Sequence, residues 1–349
     1  MNARSITAPL IAIAAALLPA PRASAQERTT CTAIAFTRDA EGARAAAQLM
    51  VLLESAVRRN GAFVYVDLAD AADPKGSERR FSLSQDAADA FAHAKEAYDG
   101  LEFEGAADHA RRAATLASNG PLADRRESLS SALLLSAAAR YYTGDEKAAR
   151  NDFDLLLAVD PGVWLDPRAW SPEVEAVALD EKFRLQPLRK ATAHVDARPV
   201  NARIFVDGSF AGISPLDLPG LTPGAHRVTA QAPFFSHADG SLDASGTLTL
   251  RLEPTEAGRP LAQAARKAND SFGSTAGDEA LRALGHVAGA QEVLAASLEA
   301  HAGALTVHLE RISVADGHRQ GAAQGSIALD SAAGLNAADA LIRSALRDE

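Results

Sequence analysis

Cysteine is almost missing from this sequence: one residue, Cys31, in 349. A single thiol excludes an internal disulfide framework and any multi-cysteine metal cluster. Aromatic side chains are scarce at 5%. Their scarcity, together with abundant alanine, favours many thin helices over one aromatic-rich core. A basic surplus is lacking too. Lys and Arg number 35 against 45 Asp and Glu, a formal net charge of −10, so nucleic-acid binding is not expected. After the first 25 residues no apolar run approaches the roughly 18 residues of a membrane span. What is present is 47% hydrophobic and 23% charged, with a mean hydropathy of −0.08. That is a globular composition, long enough for two or three domains of about 100–200 residues each.

Met1 to Ala25 reads as a secretory signal. Arg4 gives a positive start, and Leu10 to Leu18 is an apolar run too short for a bilayer of about 30 Å. Ala23-Ser24-Ala25 then supplies a small-residue site, with cleavage expected near Ala25 and Gln26. Cys31 does not turn this into a lipid anchor, because Glu27 and Arg28 interrupt the approach and Arg28-Thr29-Thr30 is not a lipobox. A buried or unpaired thiol is the expectation there. The mature chain is expected to be exported, periplasmic or on the cell surface, and soluble, with no transmembrane segment.

Residues 30–70 read as β-α-β. Thr32 to Thr37 is a strand. Arg38 to Gly42 turns, and Ala45, Ala46, Leu49, Met50, Leu53, Ala56 and Val57 recur at helical spacing up to Asn60-Gly61. Phe63 to Leu68 is a second strand. Such a unit wants a parallel sheet, and two strands cannot bury both faces, so further strands must come from elsewhere in the chain. Asp70 to Arg80, with Pro74 and Gly76, reads as a polar linker.

From 84 to 186 the period is 3.6, with helix stops at Asn119-Gly120-Pro121, Thr143-Gly144-Asp145 and Asp160-Pro161. Ser171-Pro172-Glu173 opens a last helix with an N-cap, a proline at N1 and an acid in the first turn. The run Gly144-x4-Ala149-x3-Phe153-x7-Pro161 resembles the second half of a tetratricopeptide repeat, with Ala106-x6-Ala113 a poorer copy. The spacing between copies is 43 where the family has 34, and Arg140 stands where a tyrosine is expected. The resemblance implies degenerate helical hairpins that bind protein partners, the fifth helix acting as a cap.

From 192 to 254 the period becomes two. Ala202, Ile204 and Val206 alternate before the hairpin turn Asp207-Gly208. Val228 and Ala230 alternate again, and Leu248, Leu250 and Leu252 close a small antiparallel unit. The segments Pro199-Val200-Asn201-Ala202-Arg203-Ile204-Phe205-Val206-Asp207-Gly208, Gly212-x-Ser214-Pro215-Leu216 and Leu221-x-Pro223-Gly224-x-His226-x-Val228 resemble a PEGA domain over 199–254. Val200 and Asn201 replace the name-giving Glu and Gly, and Phe234 replaces a glycine before Phe235. Asn201 is a residue that tolerates the left-handed conformation the lost glycine would adopt, so the fold is expected to survive the change. The resemblance implies a small β-sandwich-like module of exported and envelope proteins, without catalytic residues.

After a polar stretch from Glu253 to Gly277, residues 278–349 return to α/β. Asp278 to Gly285 reads as a short helix and Glu292 to Leu298 as a strand. His301-Ala302-Gly303-Ala304 turns. Leu305, Val307 and Leu309 alternate, and Ile312 and Val314 follow a phase slip that suggests a bulge. Gly325 to Leu329 is a further strand and Asn336 to Leu346 a last helix. Leu284-Gly285-x3-Gly289-Ala290 and the Val314-Ala315-Asp316-Gly317 hairpin loosely resemble the N-terminal domain of TolB-like envelope proteins. Both ends of the chain are therefore expected to build one split sheet, two separate small domains being the alternative. The fold class expected is multidomain α+β.

Chemistry is harder to find. The sequence has no G-x-x-x-x-G-K-[ST], no G-x-S-x-G and no H-E-x-x-H. Gly273 to Gly277 puts its serine one place early in a linker, and Asp239 to Asp243 reads as a plain polar turn. No metal site, cofactor or catalytic residue is assigned, and an enzyme is not expected. Two aromatic groups are candidate partner contacts. Trp164 and Trp170 lie among Pro161, Pro167 and Pro172, where packing of the last helices is favoured over a stacking platform. Phe205, Phe210, Phe234 and Phe235 flank the β-module hairpins, and Phe205 should point opposite to Ile204 and Val206. The expected function is a non-enzymatic scaffold or adaptor for envelope proteins. The alternative is a reader of peptidoglycan or another glycan through the β-module aromatics.

Overall fold

The computed structural model describes residues 28–37, 42–301, 304–329 and 331–347. The signal segment, residues 38–41 of the first turn and residues 302–303 of the hairpin lie outside the described residues. The chain ends share one sheet. Strand β1 (Thr29–Thr37) and β2 (Phe63–Tyr65), linked by helix α1 (Ala43–Arg59), join β10 (Glu292–His301), β11 (Ala304–Ser313) and β12 (Arg319–Ile327). The strand order is β12-β11-β10-β1-β2. β1 runs parallel to both its neighbours, with Ala33 opposite Leu294.

Alternation decides what covers each face. Cys31, Ala33, Leu294, Ala296 and Leu298 pack against α1 and α10 (Ala332–Ala345). Ile34, Phe36, Val293 and Ala295 pack on the opposite side, against α8 (Gly258–Asp270) and α9 (Thr275–Ala288). Central strands buried on both faces lose the apolar-polar alternation, which is why Val293 to Leu298 carries only one polar residue. The apparent slip between Leu309 and Ile312 is a change of buried face, from the α10 side to the α9 side. The register does break at that point, between Arg311 and Ile312 against β12.

Arg311, fully buried, ties the C-terminal end of α10 to this sheet. Its Nη1 donates to Glu292 Oε2 at 2.8 Å and its Nε donates to the Ala345 carbonyl at 3.1 Å. Cys31 is buried beside this cluster, and burial pushes its thiol up to about 12, which leaves it unreactive.

Several local expectations are corrected. β2 stops at Tyr65, and Leu68 opens helix α2 (Leu68–Ala72) instead of ending a strand. The stretch from Asp70 is no linker: α3 runs from Pro74 to Asp99, because Asp73 caps it through Gly76 N and Pro74 fits the first turn. The polar stretch before 277 contains all of α8, whose sparse stripe Leu261, Ala265 and Ala268 is fully used by the core. Ser274 is the N-cap of α9, so Gly277 is a close-packed helical residue and not part of a linker. β12 opens six residues earlier than Gly325, through a Gly- and Gln-rich segment of low strand propensity held by the β11 ladder.

Helices α3, α4 (Phe103–Ala117), α5 (Leu122–Tyr142), α6 (Glu146–Val159) and α7 (Pro172–Leu185) form antiparallel hairpins. Ala149 and Phe153 are fully buried, Phe153 in the hairpins' core cluster, and Ser171 caps α7 through Val174 N. Arg140 pairs with the buried Asp152 of α6, which also accepts from Ser136 Oγ at 2.5 Å and Arg111 Nη1 at 2.8 Å. A charged cluster thus joins α4, α5 and α6.

The β-module is a sandwich. One sheet has the order β6-β3-β9, from Leu216–Pro219, Thr192–Arg198 and Thr247–Arg251. The other is β5-β4-β7-β8, from Ser209–Ile213, Arg203–Val206, Ala225–Gln231 and Ala238–Asp243. Pairing is antiparallel except at β9, which joins β3 in parallel; the leucine alternation there does not close an antiparallel pair. The segment Asp239 to Asp243, read as a turn, is part of strand β8. Asp207 and Gly208 have φ values of 49 and 84, as the hairpin reading requires.

Helix α9 sits so close to the sheet that a Cβ on Gly285 would meet Val314 Cγ2 at 2.3 Å and Val293 Cγ2 at 2.9 Å. Gly285→Ala is expected to destabilise the protein by about 1–3 kcal/mol through overpacking. Chemical denaturation measures this, and an unchanged midpoint contradicts it.

Candidate functional site

The outer face of the β5-β4-β7-β8 sheet is where the three units meet. Ile204, Val206, Val228 and Ala230 enter the sandwich core, so Arg203, Phe205, Arg227, Thr229 and Gln231 face the other way. The register sets Arg203 opposite Gln231, and Thr229 opposite both Phe205 and Asp239. A polar row on an outer face ordinarily meets water. Here other elements cover it.

Arg203 is 5% exposed. Its Nη2 donates to Asp67 Oδ2 at 2.9 Å, and its Nη1 pairs with Glu54 of α1. Gln231 Nε2 donates to the same Asp67 oxygen at 3.2 Å, while Asp67 Oδ1 caps α2 by accepting from Ala69 N at 2.8 Å. Burial, with Asp70 nearby, pushes the Asp67 carboxyl up to about 6, and burial pulls the Arg203 guanidinium down to about 10. At neutral pH both partners stay charged.

Farther along the row, α5 contributes Arg125, 3% exposed. Its Nη1 donates to Thr229 Oγ1 at 2.9 Å, and its Nη2 donates to the Gly120 carbonyl at 2.8 Å. Thr229 Oγ1 in turn donates to Asp239 Oδ1 at 2.5 Å. The β-module is thereby joined to the α/β unit through Arg203 and to the helices through Arg125.

A second attachment follows the sandwich. Phe234 has φ 73, a left-handed conformation that favours glycine, at a cost of about 1–2 kcal/mol for a residue with a Cβ. Its ring packs into the core between the split sheet and α8, which offsets that strain. Thr255 Oγ1 donates to the Ala72 carbonyl at the end of α2. Asn201, by contrast, does not adopt a positive φ. Its Nδ2 donates to the Ser214 carbonyl at 2.6 Å, so the polar side chain replaces the glycine by bonding and not by conformation.

The motif histidine has a structural task. Buried His226 has Nδ1 2.7 Å from Asp207 Oδ2 and Nε2 2.7 Å from the Thr222 carbonyl. Burial works against its charge, but the Asp207 carboxylate and that carbonyl hold its pKa above the ordinary 6.5. Asp207 Oδ1 also accepts from Arg227 N at 2.9 Å, which clamps the hairpin onto β7.

The aromatic candidates are spread over different surroundings. Trp170 packs in the helical core, its ring 6.0 Å from that of Tyr98. Trp164 is 72% exposed, and the two tryptophans form no ring pair. Phe205 and Phe210 meet edge to face at 5.7 Å on the β4–β5 hairpin, with Phe210 the more exposed. Phe235 packs on the sandwich core and Phe234 on the split-sheet core. Sequence reasoning missed Arg203, Asp67, Glu54 and Arg125. The available signal was Arg203 itself, a charged residue on the non-core face of a short strand, flanked by the buried Ala202 and Ile204.

Among the described residues no group of three or more His, Cys, Asp or Glu is placed to hold a metal ion. No helix among them is long and apolar enough to cross a membrane. Residues 191–255 match the PEGA domain family, a domain typical of exported proteins. No curated protein and no solved structure matches the chain.

Arg203→Met is expected to cost about 3–5 kcal/mol, because it leaves the buried Asp67 carboxylate without its bonded cation, while Glu54 keeps Arg58 at 3.0 Å. Adding Glu54→Gln and Asp67→Asn should recover most of that loss in urea unfolding; a triple variant as weak as the single one contradicts the ion-pair account. A pH effect follows from His237, whose side chain is 7% exposed and whose Nε2 lies 4.0 Å from Asp70 Oδ1. Burial, then Arg80, pulls its pKa down to about 3, with Arg203 and Arg125 adding to this and Asp239 opposing. The unfolded chain titrates this group near 6.5 and so binds the extra proton between pH 6.5 and 3, and stability falls as the pH drops through that window. His237→Gln should lose less melting temperature than the parent between about pH 7 and about pH 5.

Proposed function

We propose that this protein is an exported, non-catalytic adaptor of the cell envelope, which holds a protein partner on its helical hairpins while the PEGA module fixes those hairpins to the α/β unit. What supports the reading is the outer side of the last hairpins. On α7, Leu179 and Phe183 lie one turn apart and are 45% and 70% exposed, and Leu155 of the adjacent α6 is 42% exposed. Trp164, 72% exposed, lies in the loop between these helices. Arg184 joins α7 to Asp154 at 2.5 Å, which sets these side chains on neighbouring helices. Exposed apolar side chains gathered in this way mark interaction surfaces in soluble proteins.

The tetratricopeptide-like reading has its own support. Gly144 has φ 81 at the α5–α6 turn, Phe153 fills the core, Ala149 is buried on α6, and Pro161 follows the end of α6. The non-catalytic reading draws on how the buried charges are used. Arg203 with Asp67 and Glu54, His226 with Asp207, and Arg311 with Glu292 each join one element to another.

A photo-cross-linking amino acid at Phe183 or Trp164, in cells that make the protein, should capture a defined protein. The same probe on the exposed side of α10 should not. Leu179→Asp should cut the yield at Phe183 by about tenfold. Capture at neither position opposes the adaptor reading. Retention on peptidoglycan that is lost with Phe210→Ala favours the glycan alternative instead.

A further inference from the structure

A cleft of about 840 Å³ opens between α3, the α4–α5 corner and the β7–β8 edge of the sandwich. Its walls hold Lys75, Arg79, Arg80, Arg125 and Arg227, against the carboxylates of Asp73 and Asp239. The chain as a whole carries −10, so this concentration of cations runs against the average of the surface.

Ion pairing inside the cleft accounts for only part of the positive charge. Arg80 is held by Asp70 at 2.7 Å and Asp73 at 3.3 Å, and Arg227 by Asp239 at 3.2 Å. Lys75 and Arg79 have no ion-pair partner among the described residues. Arg125, 3% exposed, donates only to a carbonyl and a threonine hydroxyl. A guanidinium has five N–H donors, and three are engaged here. A buried guanidinium with no carboxylate bonded to it is costly unless counter-charge is supplied. Two further polar atoms on this wall, Arg227 Nε and His237 Nε2, are buried without a hydrogen-bond partner.

The cations approach from three directions: α3, α5 and β7. A planar carboxylate is matched by one guanidinium fork, whereas a tetrahedral oxyanion accepts from several sides at once. The volume far exceeds a bare phosphate and lies within the range of small-molecule sites, about 300–1,000 Å³. Leu83 and Leu116 supply apolar wall beside the cations.

We propose that this cleft binds a small phosphorylated organic solute, its phosphate among Arg79, Arg125 and Arg227 and its uncharged body against Leu83 and Leu116. The site is independent of the apolar surface on α7. Since the cleft floor is the junction of helices and sandwich, occupancy also adds bonds across that junction.

Isothermal titration of the purified chain at low salt tests this, with inorganic phosphate, glucose 6-phosphate, glucose and citrate as probes. Glucose 6-phosphate should bind more tightly than inorganic phosphate or citrate, and glucose not at all. Arg79→Ala, on an exposed side chain, and Arg227→Ala, on a half-buried one, should each weaken it about tenfold, the first with the circular dichroism unchanged. Arg125→Gln should abolish it, and Arg79→Ala keeps the test decisive if that variant does not fold. Absence of binding by any phosphate probe at about 10 mM overturns the proposal. So does affinity indifferent to Arg79 and Arg227, or citrate or inorganic phosphate binding as well as glucose 6-phosphate.

Discussion

Arg203 is the residue on which the arrangement of units depends. It leaves a short strand on the side away from the sandwich core and reaches two carboxylates, Glu54 on α1 and Asp67 at the start of α2. Removing three charges from water is expensive, and such a cluster adds little net stability compared with apolar residues of the same shape. Its contribution is directional. A guanidinium satisfied by two carboxylates tolerates one docking of sandwich on sheet, whereas an apolar contact tolerates sliding.

The rest of the junction extends the same logic. Gln231 shares Asp67 with Arg203, and Thr229 connects Arg125 to Asp239. Phe234 and Thr255 then fasten the exit of the sandwich to α8 and α2. The PEGA module is therefore held at both ends of its outer face, between the helical hairpins and the split sheet. A module held in this way fixes the helical hairpins relative to the split sheet. The apolar surface of α7 and the cationic cleft are presented at fixed positions relative to it, and the cleft exists only because sandwich and helices are held together.

Much of this was legible in local pattern. The α1 stripe of Leu49, Leu53 and Val57, the Ser171 cap, the Asp207-Gly208 turn and the stops at Asp160-Pro161 all rest on interactions within a few residues, and each stands where the pattern put it. The failures have separate causes. Strand β12 has weak local preference and takes its state from the β11 ladder, whereas α8 does carry a helical stripe, Leu261, Ala265 and Ala268, set in a segment so polar that it reads as a linker. The start of α3 was hidden because Pro74 and Gly76 signal a loop except when an N-cap such as Asp73 precedes them. The candidate aromatics were chosen by residue type, while the residues that organise the junction are charged, and charge in a sequence ordinarily means a solvated face.

Chain-local physics thus set the element types, the turns and the inward faces of the sandwich, because hydrophobic period and turn stereochemistry act over a handful of neighbours. Which surfaces meet was settled by folding. The residue pair Thr30 and Gln291, 261 positions apart, bonds at 2.9 Å where β1 enters the sheet beside β10. Arg203 becomes a buried ion-pair partner only when α1 lies over its strand. No periodicity encodes such pairings: burial and charge compensation across distant segments are properties of the assembled surfaces, and exist once those surfaces are in contact.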